Sequence, residues 1–406
     1  MADGPRAVRP EEWPQLEELV SAVFRHSMFT DYPQLFNGEN RENLRVVADG
    51  GKVVCHVGMM QRSATLLGCR IDVACIGAVA TDPEQRGRGF ASAAFQDCCD
   101  RAARAGCDIM LISGGRGMYT RVGCRRVGQD WNVVLDQTAD PAPGPMDAAT
   151  SPARIGDAAA RLGRMAEGMQ VRPVGAEQER DVAALYESEP VRFLRHREDW
   201  PRTFACRIVM AAHSDFWGLY LADRLVAYVV VQPPRSGRQA TDGASVRVVE
   251  YAGDRAAVAG ALPQIAAHYQ VQRVQVHVSG WDVPLHTRLT SAGCPATPGT
   301  AWGTLRVINF PQLMERCRPL LAERLGMVVA TALCFEADEP AGSAARGFTI
   351  RSGDQQLRLP DLGALATYLF FDPQVASPDT PEAAALAALL APAFPLPALW
   401  YGVSYV

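Results

Sequence analysis

The sequence predicts an α/β (α+β) chain: two mixed-sheet units built on one plan, the second altered at its main turn, followed by a smaller α+β unit. Three observations carry this. First, an apolar run, "IDVACIGAVAT", hands over through "DPEQRGRG" to "FASAAFQDCCDRAARAG", where Phe90, Ala94, Cys98, Ala102 and Ala105 recur at helical spacing. The strand-like "DIMLIS" follows. Second, the same order returns as "VRVVEYAG", "AAVAGALPQIAAHYQ" and "VQRVQVHVS". Third, "LCFEAD" and "GFTIRSGDQQLRL" alternate as strands do and lead into "LPDLGALATYLFF", expected as an amphipathic helix.

The elements fall in order. "VRP" at Val8 precedes an acidic helix, "EEWPQLEELVSAVF", and "VRP" at Val171 precedes another, "GAEQERDVAALYESE". Near Gly123, "YTRVGCRRVG" is echoed by "TRLTSAGCPA" near Gly293. Between the copies, from Asp136, Pro, Ala, Gly and Asp displace any strand pattern; this stretch reads as a linker that turns helical near its end. A new amphipathic helix is expected after Pro311. The units are therefore 1–136, a linker 137–170, 171–310 and 311–406.

In the first copy, the turn "DPEQRGRG" raises a chemical question. Gly87 and Gly89 allow a sharp turn and a close approach by another molecule. Helix amides that lack intrahelical partners, with the positive end of the helix dipole behind them, face that space and suit an anion, most commonly a phosphate. The second copy has "GDRAAV" there and keeps the scaffold without an evident phosphate site.

Composition narrows the partners. The chain has 406 residues, is 48% apolar and 21% charged, and carries a net charge of −4, with no basic run for a nucleic acid. A small-molecule partner is expected. The eleven cysteines form no CxxC pair and the histidines are isolated from one another, so no metal is expected, and the usage reads as reduced and cytoplasmic. The N-terminal residues have no apolar signal core. From Ala383 onward 24 residues carry no charge, long enough to span a bilayer, but Pro392, Pro395 and Pro397 would break a lipid-exposed helix. A short helix followed by an extended aromatic tail packed into protein is expected, and no membrane contact.

Arg86, Gly89 and Ala91 satisfy the spacing Q/R-x-x-G-x-G/A after a strand and at the mouth of a helix. With the later strand and "GGRGMYTRVGCRRVG", the first unit resembles the GNAT superfamily of acetyl-CoA-dependent N-acetyltransferases. A GNAT unit, a degenerate second one and a small third domain look like the enhanced-intracellular-survival (Eis) acetyltransferases, whose third domain resembles sterol carrier proteins; there the match is in pattern only.

The resemblance implies site residues. Val79, Ala80 and Thr81 would pair with the pantetheine arm of acetyl-CoA. Gly87, Arg88, Gly89, Phe90, Ala91 and Ser92 would form the pyrophosphate turn, with Arg86 at its entrance; Arg86 and Arg88 read equally well as solvated turn residues. Tyr119 stands where the family has its general acid, and a packing role for its ring remains the alternative. The family also places its C-terminal carboxylate in the active site as the base, which would fall to Val406, although a Val stands where an aromatic is usual. "FRHSMFTDYPQLF" is expected to line the acceptor pocket. His26 and His56 are read as core histidines rather than bases, and Cys98 and Cys99 as small apolar helix residues. The implied activity is acetyl transfer to an amine of a small molecule or lysine-like acceptor, such as an aminoglycoside, a polyamine or a peptide; a homo-oligomer is compatible with it. The alternative is a catalytically inactive acyl-CoA-binding or regulatory protein on the same fold.

Overall fold

The computed structural model describes residues 2–24, 27–115, 117–137, 156–234, 244–342 and 347–406. Its first sheet starts with β1 (Asp3–Ala7), β2 (Leu44–Asp49), β3 (Lys52–Leu66), β4 (Cys69–Thr81) and β5 (Ile109–Ile112). β3 and β4 form one long hairpin closed at Leu66 and Cys69; Leu67 and Gly68 both have positive φ, 50° and 88°, which matches the twist of the paired strands. β4 reads as a nearly unbroken apolar run because both its faces are covered. Ile71, Val73 and Cys75 pack into the core beneath α1 (Trp13–Phe24) and α2 (Met28–Asp31), and Ala74 and Ile76 pack beneath α3 (Phe90–Arg104). β4 and β5 run parallel, with α3 as their crossover. The helix α4 (Gly117–Arg121) follows.

The second sheet repeats this order. Its strands are β6 (Asp130–Asp136) and β7 (Met169–Pro173), then, beyond β8 (Val191–Leu194) and a small hairpin of β9 (Ile208–Val209) and β10 (Ala212–His213), β11 (Asp215–Leu221), β12 (Arg224–Gln232), β13 (Ser245–Gly253), β14 (Arg273–Val278) and β15 (Ala296–Gly299). The order β7-β11-β12-β13-β14 matches β1-β2-β3-β4-β5, and β13 and β14 are again parallel, with the helix Arg255–His268 as crossover.

The sheets do not follow the expected boundaries. β6, expected in the first unit, pairs with β14 and β15 of the second sheet, while β16 (Thr304–Val307), expected in the second, pairs with β5 of the first. β8 also joins the first sheet, against β3. The two copies have exchanged strands. Each exchanged strand carries an alternation or an apolar run that suits either sheet, so the sequence pattern does not say where it pairs. The expected linker 137–170 is shortened too: the helix Gly156–Met165 buries Ala158 and Leu162 in the second sheet's core, and β7 begins at Met169.

The third unit holds the antiparallel strands β17 (Leu333–Ala337), β18 (Phe348–Ser352) and β19 (Gln355–Leu359). Its helix Leu362–Phe370, expected to be amphipathic, is instead buried nearly all round, with even Gly363 and Tyr368 inside, because it lies between its own unit and the first sheet. The charge-free end forms the helix Pro381–Leu390 and then an extended tail in which Tyr401, Val403 and Val406 are buried. Among the described residues no helix is long and apolar enough to cross a membrane.

The exchange makes each sheet depend on chain from the other copy. A fragment of residues 1–137 would leave one edge of β5 unpaired and carry β6 without its partners. It is expected to show no cooperative melt and a flat near-UV circular dichroism spectrum; a soluble fragment with a sharp transition would contradict this.

Candidate active site

The site forms where β4 and β5 part. Their ladder runs from Val73 with Ile109 to Ile76 with Ile112, and the Ser113 N–H donates to Ile76 O at 3.1 Å. Beyond this point β4 stays paired to β3 but no longer to β5. β4 also bulges here: Gly77 faces Gly58 and Ala80 faces His56, so Ala78 and Val79 together oppose Val57, and Ala78 takes φ 51°. The stretch Val79, Ala80 and Thr81 therefore presents one backbone edge to the opening.

The turn after β4 points into the same region. Asp82 accepts from the Glu84 N–H at 3.1 Å and sets the chain direction. Gly89, at φ 82°, is the N-cap of α3 and supplies no capping side chain. The first intrahelical bond is from the Ala93 N–H to Gly89 O, so the amides of Phe90, Ala91 and Ser92 have no partner within the helix. The second copy differs at the equivalent place. Asp254 caps its helix by accepting from the Ala257 N–H at 2.8 Å, and its carboxylate stands where an anion would. The two arginines of the first turn also differ. Arg88 is engaged with Asp49 at 2.6 Å and lies over the Phe90 ring at 4.6 Å. Arg86 is exposed beside Lys52, Asp82 and α1, on the rim of a cavity of about 450 Å³.

Tyr119, on α4, is buried against Phe95 of α3, ring centroids 5.5 Å apart. A methyl group added at Gly114, two residues past the end of β5, would meet Tyr119 Cε2 at 3.2 Å and its hydroxyl at 3.9 Å, so the phenol reaches the opening from the α3 side. Gly123 and Cys124 close α4 through N–H bonds to Thr120 O and Tyr119 O; Gly293 and Cys294 repeat this with Thr290 O and Leu289 O. The residue of the second copy equivalent to Tyr119 is thus Leu289, an apolar side chain without a hydroxyl.

From the other face comes the tail. A Cβ at Gly77 would overlap the carboxyl carbon and oxygen of Val406, so the strand can be this close only without a side chain there. Gln34 donates to Tyr405 O at 3.3 Å, the Tyr405 ring lies 6.2 Å from that of Tyr32, and its hydroxyl meets the side chains of Ser113 and Trp302. Burial pushes the phenols of Tyr32, Tyr401 and Tyr405 up, so all three stay protonated near neutrality.

The remaining sequence candidates are accounted for as follows. Cys98 and Cys99 lie on the buried face of α3, as expected from the sequence. His26 lies outside the described residues. His56 is fully buried, and its Nδ1 donates to Ala78 O at 2.8 Å, which holds the bulge; its Nε2 lone pair has no hydrogen-bond partner. Burial drives its pKa down to about 4, so at neutral pH it is an uncharged imidazole. Gln34 and Tyr32 belong to the stretch 24–36 that the sequence offered as a pocket lining. Sequence reasoning gave no sign of Ser113 or Trp302; these meet only through the exchange of strands and the return of the tail.

Residues 5–127 match the model of the acetyltransferase (GNAT) domain. No curated protein matches the chain. Among solved structures, a GCN5-related N-acetyltransferase from Anabaena variabilis is 18% identical over 98% of this chain and 99% of its own, with a TM-score of 0.61. One from Kribbella flavida is 16% identical over 98% of each chain, TM-score 0.63. Eis1 from Mycobacterium abscessus is 14% identical over 96% of each, TM-score 0.60. At these identities the likeness shows the fold, and it extends over all three units.

The depressed pKa of His56 has a consequence for stability. The folded state resists a proton that the unfolded chain takes up near pH 6.5, so the unfolded state binds more protons between the two values and stability rises with pH across that range. The contribution is present above pH 6.5 and is lost as pH falls towards 4, by about 3 kcal/mol. Denaturant titrations of the protein and of His56→Asn should diverge in slope between pH 6.5 and 4, the variant being flatter; parallel curves would contradict the assignment.

Proposed function

We propose that the chain is an acetyl-CoA-dependent N-acetyltransferase whose acceptor is an amine of a small molecule or lysine-like group, of the aminoglycoside, polyamine or peptide kind. The observation that carries this is the meeting, at one opening in the first sheet, of an uncapped helix end, a free strand edge, the Tyr119 phenol and the Val406 carboxyl. In this reading the amides of Phe90, Ala91 and Ser92, with Gly87 and Gly89, receive the pyrophosphate of the cofactor, and the edge of Val79, Ala80 and Thr81 pairs with its pantetheine arm. Arg86, free on the rim, is the better placed of the two arginines to reach a phosphate.

The chemistry divides between the faces of the sheet. An ammonium acceptor arrives on the α1 and α2 side, past Tyr32, Gln34 and Trp302, and must lose a proton before it attacks. In a chain that ends at Val406, the carboxylate there attracts the cation and takes that proton. The neutral amine adds to the thioester carbonyl, whose oxygen is stabilised by a backbone N–H of the bulge. The C–S bond then breaks, and Tyr119 protonates the departing thiolate on the α3 side. A phenol with an ordinary pKa of about 10 suits a thiolate of similar basicity. Acid and base thus stand on opposite sides of the reacting carbon. The second unit, with Asp254 and Leu289 in the equivalent places, takes no acetyl-CoA. The unit from 311 onward is a sterol-carrier-like domain, and the protein works in the cytoplasm.

Thiol release from acetyl-CoA with a panel of amines tests the activity; no release with any amine class, despite acetyl-CoA binding, would favour a non-catalytic acyl-CoA-binding protein. Tyr119→Phe should lower kcat about a hundredfold or more with little change in acetyl-CoA affinity; full turnover with an unchanged pH profile would make Tyr119 a packing residue. Adding a few residues after Val406 should cut turnover steeply without a matching fall in melting temperature, and unchanged turnover in the extended chain would remove Val406 from the mechanism.

A further inference from the structure

The two sheets can be aligned residue by residue through their parallel ladders. Ile76 opposite Ile112 ends the first ladder, and Val248 opposite Val276 ends the second. Gly77 therefore corresponds to Val249, and Ser113 to His277. The second sheet also carries a bulge here, since Val231 faces Val248 and Val230 faces Glu250, leaving Val249 unopposed. The second copy has kept the opening.

What occupies that opening is the chain's own tail. The Trp400 indole N–H donates to Val249 O at 2.6 Å, and its ring stacks on His277 at 3.4 Å between centroids. Beside it Glu250 accepts from the Val403 N–H at 2.8 Å and from the Tyr228 hydroxyl at 2.7 Å. Both Glu250 oxygens pair with Arg195, whose Nε also donates to Ser404 Oγ at 3.1 Å. The side chains of this ion pair are 3% and 6% exposed. Only about 50 Å³ of cavity remains around Val249, Glu250, His277 and Trp400. A few residues further on, Tyr405 meets Ser113 and Val406 lies against Gly77. The tail thus makes its contacts at equivalent positions of the two copies, Trp400 at the second opening and Val406 at the first.

We infer that the second unit serves as the seat of the tail: Trp400, Glu250 and Arg195 are positioning residues that fix where the Val406 carboxyl stands in the first opening. The inference rests on the reading of Val406 as the base for its effect on turnover, but not for the anchoring itself. A chain end has high conformational freedom unless it is tied down. A buried ion pair that also satisfies a tail N–H and a tail hydroxyl ties it well, because freeing the tail strands a buried charge pair with unmet hydrogen bonds.

The test uses the full chain and Trp400→Phe, which keeps an aromatic ring to stack on His277 but removes the indole N–H and part of the ring system, with Glu250→Gln as a second variant that still accepts from Val403 but no longer forms the ion pair with Arg195. Three quantities are read: the rate at which carboxypeptidase releases Val406, kcat and KM for acetyl-CoA, and the melting temperature. Expected in at least Trp400→Phe is release of Val406 accelerated tenfold or more, and kcat lowered tenfold or more, with KM for acetyl-CoA within twofold of the parent. Unchanged release in both variants overturns the inference, as does a fall in kcat that merely follows a loss of melting temperature. Accelerated release with unchanged kcat supports the anchoring and removes Val406 from the chemistry.

Discussion

The ladder between β4 and β5 stops after four residue pairs, and the rest of the site depends on that break. A parallel pair inside a covered sheet normally continues, because each unpaired backbone group left inside costs free energy. Here the Ser113 N–H makes the last bond, to Ile76 O, and the bulge at Ala78 turns the following residues away from β5. His56 absorbs part of the cost by donating to Ala78 O from a buried, uncharged ring. The rest of the strand edge remains available to a guest that brings its own amides. The same opening lets groups from both layers meet: Tyr119 belongs to the core beneath α3, and Val406 to the core beneath α1 and α2.

Duplication shows which parts of this arrangement are scaffold and which are chemistry. Both copies have the four-pair ladder, the bulge, the crossover helix and the glycine–cysteine cap on the following helix. They differ at three positions that decide what the opening can hold. Gly89 leaves the helix end uncapped where Asp254 fills it, Gly77 leaves room for Val406 where Val249 has a side chain, and Tyr119 places a phenol where Leu289 is purely apolar. None of the three changes alters the fold. A sheet of this kind tolerates such changes at its opening because its stability lies in the apolar layers on either side.

Much of this was legible in the sequence, and the limits are physical. The strand–turn–helix at 71–106 and its echo at 246–270 announce themselves through local periodicity and turn chemistry, which need only neighbours along the chain. Strand pairing does not. β16 is buried along its whole length and β6 alternates, and either pattern would suit the edge of β5 or of β14. The helix at 156–165 was expected at the end of the linker, but the Pro- and Ala-rich stretch before it gave no sign that Ala158 and Leu162 are core residues of the second sheet. At the site, glycines and Tyr119 stood in recognisable order, whereas Ser113, Trp302, Glu250 and Arg195 come from four separate stretches with no shared pattern. Their association is a product of tertiary contact alone.

The exchange of strands and the docking of the tail impose one constraint together. β16 carries the chain from the second sheet to the edge of β5, and Trp302, just before it, reaches the Tyr405 hydroxyl. The tail then runs from the second opening back to the first. The geometry around Gly77 is therefore fixed from both ends by segments that belong, by sequence order, to the second and third units. A group on a flexible surface loop would have to be ordered each time it is used; here the ordering cost of the tail is met on folding, by burial of Tyr401 and Val403, by the half-buried Trp400 and by the Arg195–Glu250 pair. It follows that the second and third units shape the opening of the first sheet without lying on its helix-end side. The first unit alone has the fold's recognition features, but where Val406 lies against Gly77 is set by the rest of the chain.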